Sequence, residues 1–167
     1  MRRLSARVWA SFLLIVVLGL PVAARAEEVF DSKARQAILL DARTGRVLYE
    51  KDADTAIPPA SMSKLMTAIV VFEALKAGKV TLDQQLTVSQ DAWKRGGATS
   101  GGSTMYAELN SQIALKDLIT GMIVQSANDA CIVIADALAG SESAFAQQMT
   151  ARAHELGAKN ASFANAT

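Results

Sequence analysis

The amino-acid sequence predicts an α+β fold in which a β-hairpin precedes a cluster of helices. Two short apolar runs, residues 36–42 and 47–50, flank the turn sequence Arg43-Thr44-Gly45-Arg46, which is the pattern of a hairpin with one face packed inward. Helical apolar spacing then recurs in four longer stretches, which begin near residues 61, 115, 129 and 142. Glycines follow three of these stretches closely, as expected where helices end: Gly78, Gly140 and Gly157.

The first 26 residues have the features of a secretory signal peptide. A basic start precedes the apolar run 8–20, which is short for a membrane span, and Ala24-Arg25-Ala26 fits a cleavage site. An uncleaved anchor is the less favoured alternative. Cleavage after Ala26 leaves residues 27–167 as one domain and removes four arginines but no acid, so the formal net charge changes from +1 to −3. This balance argues against a nucleic-acid partner, which would require a basic surface.

The ends of the helices that follow the hairpin can be recognised from residues that start or stop a helix. Pro58 and Pro59 cannot lie inside a helix, so the first helix begins near Ser61 and continues to Leu75. We expect a short strand at 86–88, a flexible glycine-rich loop at 94–103, helices at 115–124, 129–139 and 142–156, and an extended segment from 159 to 163. Ser141 can cap the last of these helices. The lone Cys131 is predicted to be a buried apolar side chain, since it cannot form a disulfide within the chain.

The sequence Ser61-Met62-Ser63-Lys64 places a hydroxyl and an amine one turn apart at the start of a helix. Side chains at this spacing lie on one face with Cβ atoms roughly 5–6 Å apart. An uncharged lysine can take the proton of a serine, which gives a nucleophile and its base without histidine. The chain has one histidine, His154, among surface-type residues, so a Ser-His-Asp triad is not expected. A capping serine beside a solvated lysine is the alternative, and the apolar helix that follows disfavours it.

A second polar group, Ser126-Ala127-Asn128, lies between two apolar helices. In an extended corner, alternate side chains point the same way, so a hydroxyl and a carboxamide would both face a cleft. The serine could relay a proton to a leaving amine, and the asparagine could bind a substrate amide. Taken alone, a helix-capping corner explains these residues at least as well.

Together, these two groups resemble the first two motifs of the penicillin-binding serine D-Ala-D-Ala carboxypeptidases. The matching segments are Pro59-Ala60-Ser61-Met62-Ser63-Lys64-Leu65-Met66-Thr67 and Ser126-Ala127-Asn128-Asp129-Ala130-Cys131. Flanking segments 40–45 and 158–163 match as well, so the resemblance covers nearly all of the chain after the leader. It implies a β-lactamase/transpeptidase-like fold, which is an antiparallel sheet flanked by helices beside a helical subdomain.

The resemblance also implies the chemistry. Ser61 would attack the carbonyl between the terminal D-alanines of a peptidoglycan stem peptide, and Lys64 would be the general base. Ser126 would pass the proton to the departing D-alanine, and Asn128 would hold the substrate. β-Lactams would acylate Ser61, and no metal or other cofactor is implied. The protein would be exported to the periplasm or the outer face of a bacterial inner membrane, where it would act on the cell wall and on cell shape.

One feature of the family is absent from this sequence. Its third motif, Lys-Thr-Gly or a close variant on a later strand, does not occur before the chain ends at Thr167. We therefore expect a partial catalytic domain, truncated before the later sheet strands, that is inactive alone. Membrane association would depend on a C-terminal region that this sequence lacks.

Two other functions are compatible with parts of the pattern. A class A β-lactamase shares the Ser-x-x-Lys motif, but it typically carries Ser-Asp-Asn where this chain has Ser126-Ala127-Asn128, and it needs a glutamate that we cannot place here. A non-catalytic peptidoglycan-binding protein could keep the same fold, although it would gain little from Ser61 and Lys64. Turnover of a chromogenic cephalosporin would favour the first function, and a phenotype that survives Ser61→Ala would favour the second.

Overall fold

The structure is a computed structural model that describes residues 32–167. It divides into two compact units, one ending at Ala56 and the other spanning Ile57–Thr167. The predicted signal peptide, residues 1–26, lies outside the described residues. No helix within 32–167 combines the length and the apolar character that a membrane span requires.

The first unit contains the predicted hairpin. Strands β1 (Ala37–Leu40) and β2 (Val47–Lys51) pair antiparallel. The Asp41 carboxylate fixes the turn by accepting the backbone N–H groups of Arg43 and Thr44, each at 2.9 Å, and these bonds lower the pKa of Asp41. None of the strand residues is buried, so the expectation that one face packs inward is wrong for the described residues.

The second unit begins with the predicted serine-bearing helix. A 3₁₀ turn, Ala60–Ser63, leads directly into α1 (Lys64–Lys76), and Gly78 follows with φ +67°. Although α1 is apolar on most sides, only part of it is buried. One side packs into the core, and the opposite side exposes Leu65, Ile69 and Phe72, which are spaced one and two turns apart.

A small sheet precedes the remaining helices. Strand β3 (Gln85–Thr87) agrees with the predicted strand, and it pairs antiparallel with β4 (Gln112–Ala114), which the sequence analysis missed. The glycine-rich segment is more ordered than predicted, since it contains a π-helical turn at Ala92–Gly96 and a 3₁₀ turn at Ala98–Ser100.

Three helices form the rest of this unit: α2 (Leu115–Gln125), α3 (Asn128–Ala139) and α4 (Glu142–Glu155). Helix α3 is the most buried, and the run 129–135 has no exposed residue. Cys131 lies within that run, as predicted. The segment 159–163, which we expected to be extended, begins in a turn at 159–160 and has no regular secondary structure after it. The largest fully buried side chains are Phe145, Leu115, Leu118, Ile132, Ile134, Met149, Val71, Val88, Val133, Thr67, Asp129 and Cys131.

Candidate active site

Ser61 and Lys64 meet at the junction between the 3₁₀ turn and α1. Ser61 is exposed, whereas Lys64 is 7% exposed. The Lys64 Nζ atom lies 3.1 Å from Ser61 Oγ. This is hydrogen-bond distance, so the predicted one-turn spacing does place the amine against the hydroxyl.

Asn128 reaches the same amine from another element. It is the first residue of α3, and its Oδ1 atom accepts a hydrogen bond from Lys64 Nζ at 2.8 Å. The Asn128 backbone N–H donates to the carbonyl of Ser103, also at 2.8 Å. Asn128 is therefore held by its main chain while its side chain orients the lysine.

Ser126 lies in the bend between α2 and α3. Its backbone is left-handed, with φ 57° and ψ 34°, so the predicted extended corner is wrong. A left-handed residue is a common way to end a helix because it lets the chain turn away from the helix axis. The turn nevertheless places Ser126 on the cavity that also borders Ser61 and Lys64.

That cavity has a volume of about 180 Å³. Ser61, Lys64 and Ser126 line it together with the apolar residues Leu65, Ala68, Met122 and Ile123. An apolar wall with a few convergent polar groups is typical of a small-molecule or peptide site. Within residues 32–167, no cluster of three or more histidine, cysteine, aspartate or glutamate side chains could hold a metal ion.

The amine of Lys64 has only neutral hydrogen-bond partners, namely a hydroxyl and a carboxamide oxygen. No ion pair in the described part of the chain includes it. In its uncharged form, an amine can donate one N–H to Asn128 Oδ1 and turn its lone pair towards the Ser61 hydroxyl. The arrangement can therefore remove a proton from Ser61 while Asn128 fixes the direction of transfer.

The structure also shows a buried carboxylate that the sequence analysis did not identify. Asp129 is fully buried, and its two oxygens accept hydrogen bonds from Thr104, Met105, Ala107 and Ala130. The signal in the sequence was an acidic residue at the start of a long apolar stretch. The partners could not be anticipated, because three of them lie 22 to 25 residues earlier in the chain.

Two glycines of the segment 94–103 allow its backbone to approach the start of α3. A Cβ atom on Gly96 would lie 2.4 Å from the backbone nitrogen of Asp129, and one on Gly102 would lie 2.8 Å from Asn128 Nδ2. Side chains at these positions would collide with the site. Gly96 and Gly102 therefore form a wall beside the start of α3, although most of the segment 94–103 is exposed.

The sequence model of the peptidase S11 family, described as D-alanyl-D-alanine carboxypeptidase, matches residues 22–167. Among curated proteins, the chain is 43% identical over 147 residues to the D-alanyl-D-alanine carboxypeptidase DacC of Escherichia coli. That match covers 86% of this chain and 37% of the relative. The chain therefore spans well under half the length of this relative.

Solved structures show the same likeness. Penicillin-binding protein 5 from Haemophilus influenzae superimposes with a TM-score of 0.77 and 33% identity, covering 82% of this chain and 39% of that one. Penicillin-binding protein D2 from Listeria monocytogenes, in its ampicillin-bound form, gives a TM-score of 0.70 and 30% identity over 84% of this chain and 54% of that one. These neighbours share the transpeptidase-like α+β fold that the sequence predicted.

Proposed function

Because the chain belongs to the D-alanyl-D-alanine carboxypeptidase family, peptidase S11, we propose that the complete gene product removes the terminal D-alanine from peptidoglycan stem peptides. The observation that carries this proposal is the position of Lys64 Nζ, within hydrogen-bond distance of both Ser61 Oγ and Asn128 Oδ1. We make the proposal for the complete gene product because the chain covers 37% of its Escherichia coli relative.

In the proposed reaction, uncharged Lys64 takes the hydroxyl proton of Ser61 as Oγ attacks the carbonyl of the penultimate D-alanine. The peptide bond then breaks, and the departing D-alanine needs a proton on its nitrogen. Ser126 borders the same cavity and passes that proton on from Lys64. The acyl group remains on Ser61 as an ester, which water hydrolyses to free the enzyme.

Asn128 has two roles in this scheme. Its Oδ1 atom holds the lysine, which leaves Nδ2 to donate a hydrogen bond to a carbonyl of the substrate. The backbone N–H of Ser61, in the first turn of the 3₁₀ segment, contributes one donor to the oxyanion hole.

β-Lactams are the proposed covalent inhibitors. A β-lactam presents a strained amide that resembles the D-Ala-D-Ala bond, so Ser61 would open the ring and remain acylated. The ampicillin-bound form of the similar Listeria monocytogenes protein supports this assignment. A class A β-lactamase is the alternative because it shares the Ser-x-x-Lys motif. Rapid release of the ring-opened drug from Ser61 would favour that class of enzyme.

We further propose that the protein is exported. Residues 1–26 act as a signal peptide that is cut after Ala26, and residues 27–167 belong to the catalytic domain. The substrate lies in the cell wall, so the protein works in the periplasm or on the outer face of the inner membrane, where it affects cell shape.

Release of D-alanine from a diacetyl-Lys-D-Ala-D-Ala peptide tests the function directly. We expect the complete gene product to release D-alanine and Ser61→Ala to reduce the rate by at least about 1000-fold, since it removes the nucleophile. Ser143→Ala, an exposed serine on α4, is the matched control and should keep the wild-type rate. Equal release by the wild type and Ser61→Ala would overturn the proposal.

A further inference from the structure

We propose that Asp129 is a positioning residue, which fixes Asn128 and through it the amine of Lys64. The inference rests on the proposed function, because it concerns the efficiency with which Lys64 activates Ser61. The hydrogen bonds described for Asp129 do not include Lys64 or Ser61, so its influence on them passes through neighbouring groups.

The carboxylate of Asp129 organises the segment 104–107. Its Oδ2 atom accepts from Thr104 Oγ1 at 2.6 Å and from the Ala107 N–H at 3.0 Å. Its Oδ1 atom accepts from the N–H groups of Met105 and Ala130, at 3.1 and 3.0 Å. Thr104 Oγ1 accepts in turn from the N–H of Tyr106, so a single buried side chain ties down four consecutive residues.

This segment is continuous with the backbone that holds Asn128. Residue 103 accepts the Asn128 N–H through its carbonyl oxygen, and Gly102 lies directly against Asn128 Nδ2. Gly96 packs against the Asp129 backbone on another side. Asn128, which is partly buried, therefore contacts a wall formed by Gly96 and residues 102–107, and the Asp129 carboxylate holds this wall in place.

The hydrogen-bond donors distinguish this role from ordinary helix capping. A capping aspartate accepts from the amides of its own helix, whereas three of the four groups that donate to Asp129 belong to the 104–107 segment. The carboxylate is completely buried, and Thr104 is 4% exposed. Its donors are all neutral, and their hydrogen bonds also define the wall.

Asp129→Asn is the informative substitution. It preserves size but replaces one oxygen by an NH₂ group, which cannot accept from the donors that face it. The wall should shift, and Asn128 should no longer hold Lys64 in line with Ser61. Because misplacement on the order of 1 Å can reduce a rate about 100-fold, we expect acylation of Ser61 by a fluorescent penicillin to slow by about 10- to 100-fold.

The experiment compares four variants of the complete gene product: Asp129→Asn, Thr104→Val, Asp136→Asn and Asn128→Ala. Asp136 is the matched control, since it lies on the same helix and its side chain is hydrogen-bonded only to Ser89 in the described residues. Acylation is measured over a range of penicillin concentrations, which separates the rate constant from the half-saturating concentration. Asp129→Asn should lower the rate constant and leave half-saturation nearly unchanged, and Asp136→Asn should change neither.

A double variant separates positioning from general destabilisation. If Asp129 acts through Asn128, Asp129→Asn should cause no further slowing in the Asn128→Ala background. A loss of similar size in both backgrounds would overturn the proposal, as would an unchanged rate in folded Asp129→Asn. If Asp129→Asn fails to fold, Thr104→Val removes the Thr104 bond to Asp129 and the acceptor of the Tyr106 N–H, and it should slow acylation by about threefold or more. An unchanged rate in that variant would overturn the inference.

The NMR signals of the Asn128 side-chain amide provide a readout that is independent of catalysis. Thr104→Val and Asp129→Asn should shift or broaden them, and Asp136→Asn should not. If the wild type and Ser61→Ala are equally unreactive with penicillin, the proposed function fails, yet these signals still decide whether Asp129 positions Asn128. Unmoved signals in the folded variants would exclude that role.

Discussion

Lys64 is a long, polar side chain placed almost entirely inside the protein. Burial of an amine is unfavourable unless its hydrogen bonds are satisfied, and here a hydroxyl and a carboxamide oxygen satisfy them. A carboxylate in their place would hold the amine in its charged form. Lys64 is therefore suited to act as a base because both of its hydrogen-bond partners are neutral.

Cys131 provides a test of burial at the residue scale. Burial raises the pKa of its thiol from 9.0 to about 12, so very little thiolate forms at pH 8. We expect iodoacetamide to alkylate Cys131 at least about 100-fold more slowly in the folded protein than in urea, as measured by peptide mass spectrometry. Equal rates in the two states would show that the thiol is accessible.

The same thiol has a consequence for stability. In the unfolded chain it begins to lose its proton near its ordinary pKa, whereas in the folded protein it keeps that proton to a pKa of about 12. The unfolded state then binds fewer protons, so the free energy of unfolding falls as the pH rises between these values.

The sequence analysis could propose Ser61, Lys64, Ser126 and Asn128 as site residues because their residue types and spacing are local properties. The left-handed conformation of Ser126 was not predicted, since glycine is the residue that usually marks such a position. Asp129 was missed for a different reason. Its role depends on Thr104 and its neighbours, and no local pattern connects them.

At the scale of elements, the helix ends were predicted better than the strands. Glycines and a capping serine mark the ends of α1, α3 and α4 within a residue or two of their positions in the structure. Strand β4 has three residues and runs directly into α2, so it shows no alternation that could be recognised. The π-helical turn at Ala92–Gly96 depends on packing against α3 and has no signature of its own.

The cap of α4 can be tested by substitution. Ser141 Oγ accepts the N–H of Ala144 at 3.2 Å, which satisfies one of the free donors at the start of the helix. Ser141→Ala should lower the free energy of unfolding by about 1 kcal/mol, measured by urea denaturation. Ser143→Ala, two residues into the same helix, should change stability by less than about 0.5 kcal/mol. Similar losses in both variants would argue against a cap.

In the unit that spans Ile57–Thr167, α1 is connected to the last residues of the chain and to α4. Arg152 forms an ion pair with Glu73 at 2.7 Å, which joins α4 to α1 and lowers the pKa of the Glu73 carboxyl. Thr67 Oγ1 donates to the carbonyl of Ala166 at 2.8 Å, and Glu142 accepts the Ala166 N–H at 3.0 Å. The last described residues are thus anchored beside the helix that carries Lys64.

Thr67 is fully buried, so removal of its hydroxyl should affect the whole unit. Thr67→Val keeps the shape of the side chain but leaves the Ala166 carbonyl without this donor. We expect the free energy of unfolding to fall by about 1–3 kcal/mol, because the carbonyl stays buried and unpaired. The measurement is urea denaturation, and a Thr67→Val protein as stable as the wild type would contradict the expected role of this bond.

The central claim is that Lys64 activates Ser61 as a nucleophile, and mass spectrometry of the penicillin adduct tests it most directly. After brief exposure to benzylpenicillin, the complete gene product should carry one adduct, on the peptide that contains Ser61. Lys64→Ala should form that adduct at least about 100-fold more slowly, while Lys76→Ala, at the exposed end of the same helix, should match the wild type. An adduct on another residue, or wild-type acylation in Lys64→Ala, would contradict the account.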